Sequence, residues 1–251
     1  MTPYPESELR KLADPPTLRM IDKWQSICNR VLGRPIEIVA DSRRNSPKYG
    51  SFKGEVNTAE PDEYNGKVVL RVWLESFPRL ELLLVTHEIG HWVLKLQGFR
   101  GMLCSPRRPL IEGCLNSLAT HRPLHDLQRS FGHEPRDEVD SRADHDIKLC
   151  LGSGPIDDTS SALYLADDFL NCSYKKRGQM KQALRKKHPN TMRYVERIVR
   201  IASQHDLLNP EQSIAFRRRL IKELKLRGVW SEQDDVSRIK DLILKVEGIA
   251  S

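Results

Sequence analysis

His87, Glu88 and His91, in the run His87-Glu88-Ile89-Gly90-His91, are the residues of this chain whose types and spacing spell chemistry. Histidines four apart share one face of an α-helix, about 6 Å from each other, so both imidazoles reach a single ion. Imidazole nitrogen suits zinc, and Zn2+ is the expected cofactor. Glu88 sits beside His87 and turns toward the position that the two histidines leave open. There it takes a proton from an attacking water and later passes it to the leaving group. The chemistry is hydrolysis assisted by a Lewis acid, with His87 and His91 as ligands and Glu88 as general base. The alternative reading is two packed core histidines. It leaves a costly polar cluster on a core-facing helix without an ion to offset its burial.

A catalytic zinc takes three protein ligands and keeps one place for water. Glu112 is the first choice for the third, 21 residues past His91 on the next predicted helix. His121 and His125, again four apart, and Glu138 are the alternatives. Tyr64, Tyr164 and Arg142 are candidates for stabilising an oxyanion, and nothing in their positions selects one. Trp92 points about 100° around the helix from His91 and reads as core.

The elements that must position these residues follow from periodicity. Apolar residues at helical spacing predict a helix over 78–96, carrying the motif, and another over 18–32. Between them 35–40 alternates as a short strand, and 51–57 is a weaker one. Asn65-Gly66 is a turn signal before a strand over 67–75, whose half-polar second face fits an edge. Further helices are expected over 110–120 and 137–151. The stretch 123–131 either continues the first of these or stands apart, because Pro123 interrupts it. Gly152-Ser153-Gly154-Pro155 reads as an internal boundary, and the pattern beyond it is helical almost everywhere. The expected class is α+β: a loose lead-in over 1–17, a catalytic domain over 18–151 with a small sheet, and an all-helical, basic domain over 156–251.

The motif helix resembles the signature helix of the zincin metallopeptidases, and the strand over 67–75 resembles the zincin edge strand that pairs with an extended substrate. The resemblance covers about residues 18–150. The extended metzincin signature needs a glycine and a third histidine where this chain has Leu94 and Gln97. The gluzincin-like branch, with a downstream glutamate ligand, fits better, and its glutamate lies at a distance similar to that of Glu112. That branch has an acidic residue four further on, where Asn116 stands here. In scale and local context the chain is also similar to the ImmA/IrrE group. The resemblance implies an intracellular, cytoplasmic zinc metalloprotease.

Composition sets the remaining limits. The 251 residues carry a formal net charge of +7. Residues 175–187 hold Lys175, Lys176, Arg177, Lys181, Arg185, Lys186 and Lys187 with no acidic residue, and 217–227 adds six more cations. Such runs invite a nucleic acid or an acidic protein as partner, although lysine and arginine also simply solvate helix faces. No apolar run approaches the roughly 20 residues that cross a membrane, and the first residues do not read as a secretory signal. The five cysteines lack a Cys-x-x-Cys pair and read as buried thiols. Three functions compete: a zinc peptidase acting on a protein or peptide, a metallopeptidase-like regulator that binds nucleic acid or an acidic partner, and a structural zinc protein. Glu88, unneeded as a ligand, favours the first.

Overall fold

The computed structural model describes residues 2–48, 57–152 and 159–248. They form two compact units, each assembled from separated stretches of chain. One comprises Met1–Gln97, Leu127–His133 and Asp234–Ser251; the other comprises Gly98–Asp126 and Glu134–Gln233. This division differs from a single cut near Gly152. Of that boundary sequence, Ser153, Gly154 and Pro155 lie outside the described residues.

The first unit is mixed α/β. Its four-stranded sheet runs β1 (Tyr4–Pro5), β2 (Ile38–Ser42), β4 (Lys67–Leu74), β3 (Thr58–Tyr64) in spatial order. Strand β2 is parallel to β4, with Ala40 opposite Val72, and β3 is antiparallel to β4, with Ala59 opposite Val72. Asn65 (φ 52°) and Gly66 (φ 71°) join β3 to β4. Both adopt the left-handed backbone that a type I′ hairpin requires, which is why that dipeptide marks the turn.

Helices α1 (Glu6–Leu12), α2 (Pro15–Leu32), α3 (Leu82–Leu96) and α10 (Asp235–Val246) complete this unit. Helix α2 starts earlier than its apolar stripe. The Asp14 carboxylate accepts from Thr17 N at 2.9 Å, and prolines occupy the first turn, where no N–H is missed. Gly33 ends it at φ 77°. Trp24, Ile38, Leu70, Val72, Val85, Ile89, Trp92 and Ile239 are buried together as the core. Each such side chain contributes about 1.5–3 kcal/mol by leaving water.

The second unit is mainly helical: α5 (Arg136–Leu151), α6 (Thr159–Asn171), α7 (Tyr174–Lys187), α8 (Pro189–Ala202) and α9 (Pro210–Glu223), with most of α4 (Pro109–Ser130). Its core includes Leu115, Leu118, Leu163, Phe169, Met180, Val195, Ile198 and Phe216. A short antiparallel pair, β5 (Met102–Ser105) with β6 (Val229–Glu232), interrupts the helical pattern. A side chain at Gly228 would bring its Cβ within 2.3 Å of Cys104 Sγ, so only glycine fits beside that pair. Cys28, Cys104, Cys150 and Cys172 are buried, as expected, and Cys114 is half-buried. Among the described residues no helix is long and apolar enough to cross a membrane.

Several expectations are corrected. The strand over 67–75 is not an edge: β4 pairs with β2 on one side and β3 on the other. Its second face is covered, with Val69 and Trp73 buried and Arg71 paired to the buried Asp41. Among the described residues the outer strands of this sheet are β1 and β3. The motif helix begins at Leu82 and not at Pro78, because residues 76–79 close a turn of their own, with Arg79 N donating to Ser76 O. Of the two readings of 123–131, continuation holds: α4 runs unbroken from Pro109 to Ser130 with Pro123 inside it. The weak strand over 51–57 falls outside the described residues except for Asn57.

Candidate metal centre

Helix α3 is apolar for most of its circumference, with Val85, Ile89, Trp92, Val93 and Leu96 buried. Trp92 is core, as expected, and its indole N–H donates to Ala59 O of β3 at 2.7 Å. This packing fixes the rotation of α3, and with it the side that bears the histidines. His87 is buried, while Glu88 and His91 are half-buried. The rings of His87 and His91 lie edge to face, with centroids 4.9 Å apart. Lys95, two turns beyond Glu88, has its Nζ 3.7 Å from the centroid of the Trp92 ring. Burial holds Lys95 below the ordinary lysine range, against the opposing pull of Asp235 and Glu88.

The two imidazoles share one face of α3, with Glu88 next to His87 in the chain and not needed as a ligand. This His87-Glu88-x-x-His91 spacing on a helix is of the HExxH zinc-binding type, consistent with a gluzincin-like metallopeptidase. It fits a single zinc and supports zinc-dependent, peptidase-like hydrolysis.

The end of α4 is anchored to the motif helix: the Gln128 amide donates to Leu83 O and Thr86 Oγ1 of α3, both at 3.3 Å. The His121 ring itself is held by Asp167 of α6, whose Oδ2 is 2.5 Å from Nδ1.

The third-ligand candidates from the sequence have partners of their own. Glu112 stands nine residues before His121, about 13 Å along the helix axis. Its carboxylate accepts from Arg108 N at 2.9 Å, Cys104 N at 3.2 Å and the Arg107 side chain at 3.0 Å. Burial opposes its ionisation, but the Arg108 and Cys104 amides and Arg107 outweigh it and hold the carboxyl below its ordinary range. Glu112 therefore serves the start of α4, whose exposed amides attract a carboxylate. His125 stacks on His121, with centroids 5.7 Å apart. Glu138 faces Arg142 at 3.9 Å within α5. Asn116 bonds both backbone groups of Met102, at 2.8 and 3.1 Å, and so anchors β5. Of the oxyanion candidates, Arg142 holds Asp168 at 2.8 Å, and Arg71 covers the Tyr64 ring. Burial, with Asp146 next, pushes the Tyr164 hydroxyl up to about 12.

Asp167 was not singled out by sequence reasoning, although a signal existed. It lies four residues after Leu163 and three before Leu170, on the apolar face of its helix. A carboxylate there is buried and needs a partner. Burial opposes its charge, and His121, Arg142 and His125 together outweigh burial and keep the carboxyl below its ordinary range.

Comparison with family models, with curated proteins and with solved structures found no match.

Proposed function

We propose that the protein is a zinc metallopeptidase in which His87 and His91 hold the metal, one further side chain completes its protein ligands, and Glu88 is the general base. The observation that carries this reading is the pair of imidazoles on one face of α3, with ring centroids 4.9 Å apart, next to a glutamate that is not needed as a ligand. Zinc, when bound, supplies Lewis acidity and makes water a nucleophile near neutral pH. Glu88 accepts the proton of the attacking water and returns it to the leaving nitrogen, so that one carboxylate serves both transfers. His87 and His91 are set by the packing of α3. The bonds that already engage the Glu112 carboxylate weigh against Glu112 as the third ligand and leave His121, His125 and Glu138 as candidates.

The substrate we infer is a protein or peptide. The outer strand β3 supports it, since an extended backbone adds to a sheet at its last strand. The test is zinc-dependent cleavage of a peptide panel by the parent and Glu88→Gln at equal zinc occupancy. Turnover in Glu88→Gln should fall by about 10²-fold or more while zinc stays bound. Equal cleavage rates would reject the mechanism, and loss of zinc would make Glu88 structural.

A second reading concerns a partner. Helix α7 presents exposed Lys175, Lys186 and Lys187. Its other cations are engaged within the unit, Lys176 with Asp144 at 2.5 Å and Arg185 with Glu196 at 2.7 Å. The exposed lysines favour contact with a nucleic acid or an acidic protein, through charge and without base readout.

A further inference from the structure

We propose that the groove between α5 and α7 is a docking site for an acidic amphipathic helix of a partner protein. The inference deepens the second reading above, contact through exposed lysines, and rests on it. Both helices belong to the second unit, so the site is built from that unit alone.

The groove follows from how the two helices lie. Ser173 N, at the start of α7, donates to Asp140 Oδ1 at 2.7 Å. One turn on, Lys176 meets Asp144 at 2.5 Å, and at the far end the His188 ring donates to Cys150 O at 3.0 Å. The helices therefore run side by side in the same direction. Each lines the groove with residues at i, i+3, i+4 and i+7, beginning at Asp144 in α5 and at Gln179 in α7. That spacing is one face of a helix over two turns, about 10.5 Å. The space between the two faces has a volume of about 400 Å³, within the range of pockets that take ligands.

The lining is apolar with a cationic rim. Ala183 is buried, Ile147 is half-buried and Leu151 is 49% exposed. A leucine this open on a packed helix leaves apolar surface for a partner to cover. Lys148 and Lys186, one from each helix, stand exposed without an ion pair among the described residues. The acidic residue of the lining, Asp144, is already engaged by Lys176. Lysines near helix C-termini also balance the helix ends, but that role needs no exposed leucine.

This combination selects the occupant. Helical walls offer no open backbone edge, so an extended strand finds nothing to pair with. A helix instead seats apolar anchors three and four residues apart in such a groove. Carboxylates flanking those anchors meet Lys148 and Lys186. A nucleic acid would use the charge alone and leave Leu151 and Ile147 uncovered.

The experiment measures fluorescence anisotropy at low ionic strength with three labelled probes. The first is a stapled peptide helix of about four turns, with leucines three and four apart flanked by glutamates. The second has the same composition in permuted order, and the third is a DNA duplex. The full-length parent should bind the patterned peptide about tenfold or more tightly than the permuted one. Leu151→Ser should lose about tenfold for the patterned peptide and leave the other probes unchanged. The Lys148→Glu/Lys186→Glu pair should weaken both peptides, whereas Lys175→Glu/Lys187→Glu, outside the lining, should preserve the preference for the pattern. Circular dichroism checks folding, and if Leu151→Ser fails to fold, Gln182→Glu carries the test: this exposed change adds a like charge to the groove and should weaken the patterned peptide. Equal affinity of the parent for the two peptides would overturn the inference, as would parent-like binding by folded Leu151→Ser. Binding of the duplex alone makes nucleic acid the occupant, and self-association of the parent that Leu151→Ser abolishes makes it a second copy; either outcome overturns the inference. Failure of the underlying reading looks different: no probe binds at low salt, which removes the inference as well.

Discussion

The Ser213 hydroxyl of α9 donates to the carbonyl oxygen of Ala119 at 3.1 Å. In an unbroken helix that oxygen would accept from the residue four positions on, but that residue is Pro123, which has no N–H. Ser213 thus supplies the donor that proline removes, and α4 passes through Pro123 with its buried carbonyl satisfied. The alignment of His121 with Gln128 depends on that continuity.

Ser213→Ala should leave Ala119 O buried without a donor and destabilise the protein by about 1–3 kcal/mol. Pro123→Ala restores the helical N–H and should recover much of that loss in the double variant, while recovering little alone. Urea midpoints at constant slope measure the cycle. A Ser213→Ala midpoint equal to the parent's, or additive effects in the double variant, would show that the bond does not support α4.

Zinc content separates the third-ligand candidates. Protein prepared without chelator should carry about one zinc per chain. His87→Ala and His91→Ala should each lose it, whereas Glu112→Gln should retain it and instead lower stability through the start of α4. Elemental analysis and thermal melting read the two effects separately. Zinc lost from Glu112→Gln would make Glu112 the third ligand, and zinc lost from His121→Ala or His125→Ala would place the third ligand there instead.

Asp146, 1% exposed, sets a pH dependence of stability. Burial, and then the adjacent Asp168, push its carboxyl well above the ordinary range. The folded chain therefore holds a proton that the unfolded chain has released, and stability falls as pH rises from about 4 toward the folded value. Asp146→Asn, which cannot ionise, should be more stable than the parent at neutral pH, with the gap closing toward pH 4. Unfolding free energies of the two proteins across that window provide the check, and a gap independent of pH would contradict the assignment.

The α7 surface predicts salt-sensitive association. At low ionic strength a labelled DNA or RNA duplex should bind the parent, and affinity should fall steeply with added salt as counterions are released. Replacing Lys175, Lys186 and Lys187 together by glutamate should abolish it. If fluorescence anisotropy shows no binding to either nucleic acid at low salt, an acidic protein remains the partner to test.

Local geometry made much of this protein legible in its sequence. Two histidines four apart share a helix face whatever surrounds them, so the metal pair and the neighbouring general base were readable at once. Asn65-Gly66 marked a hairpin because both residues adopt positive φ without strain. The stripe from Ile21 to Cys28 identified a core helix for the same kind of reason. Tertiary structure alone decided how α4 passes through Pro123: Ser213 replaces a donor that the local rules count as lost. Strand β4 became interior through its pairing with β2 and β3, which its own half-polar pattern does not encode. Asp167 gained a role when α6 packed against α4. Periodicity specifies which face of an element is buried, whereas a coordination site depends on which two faces meet, and only long-range packing fixes that.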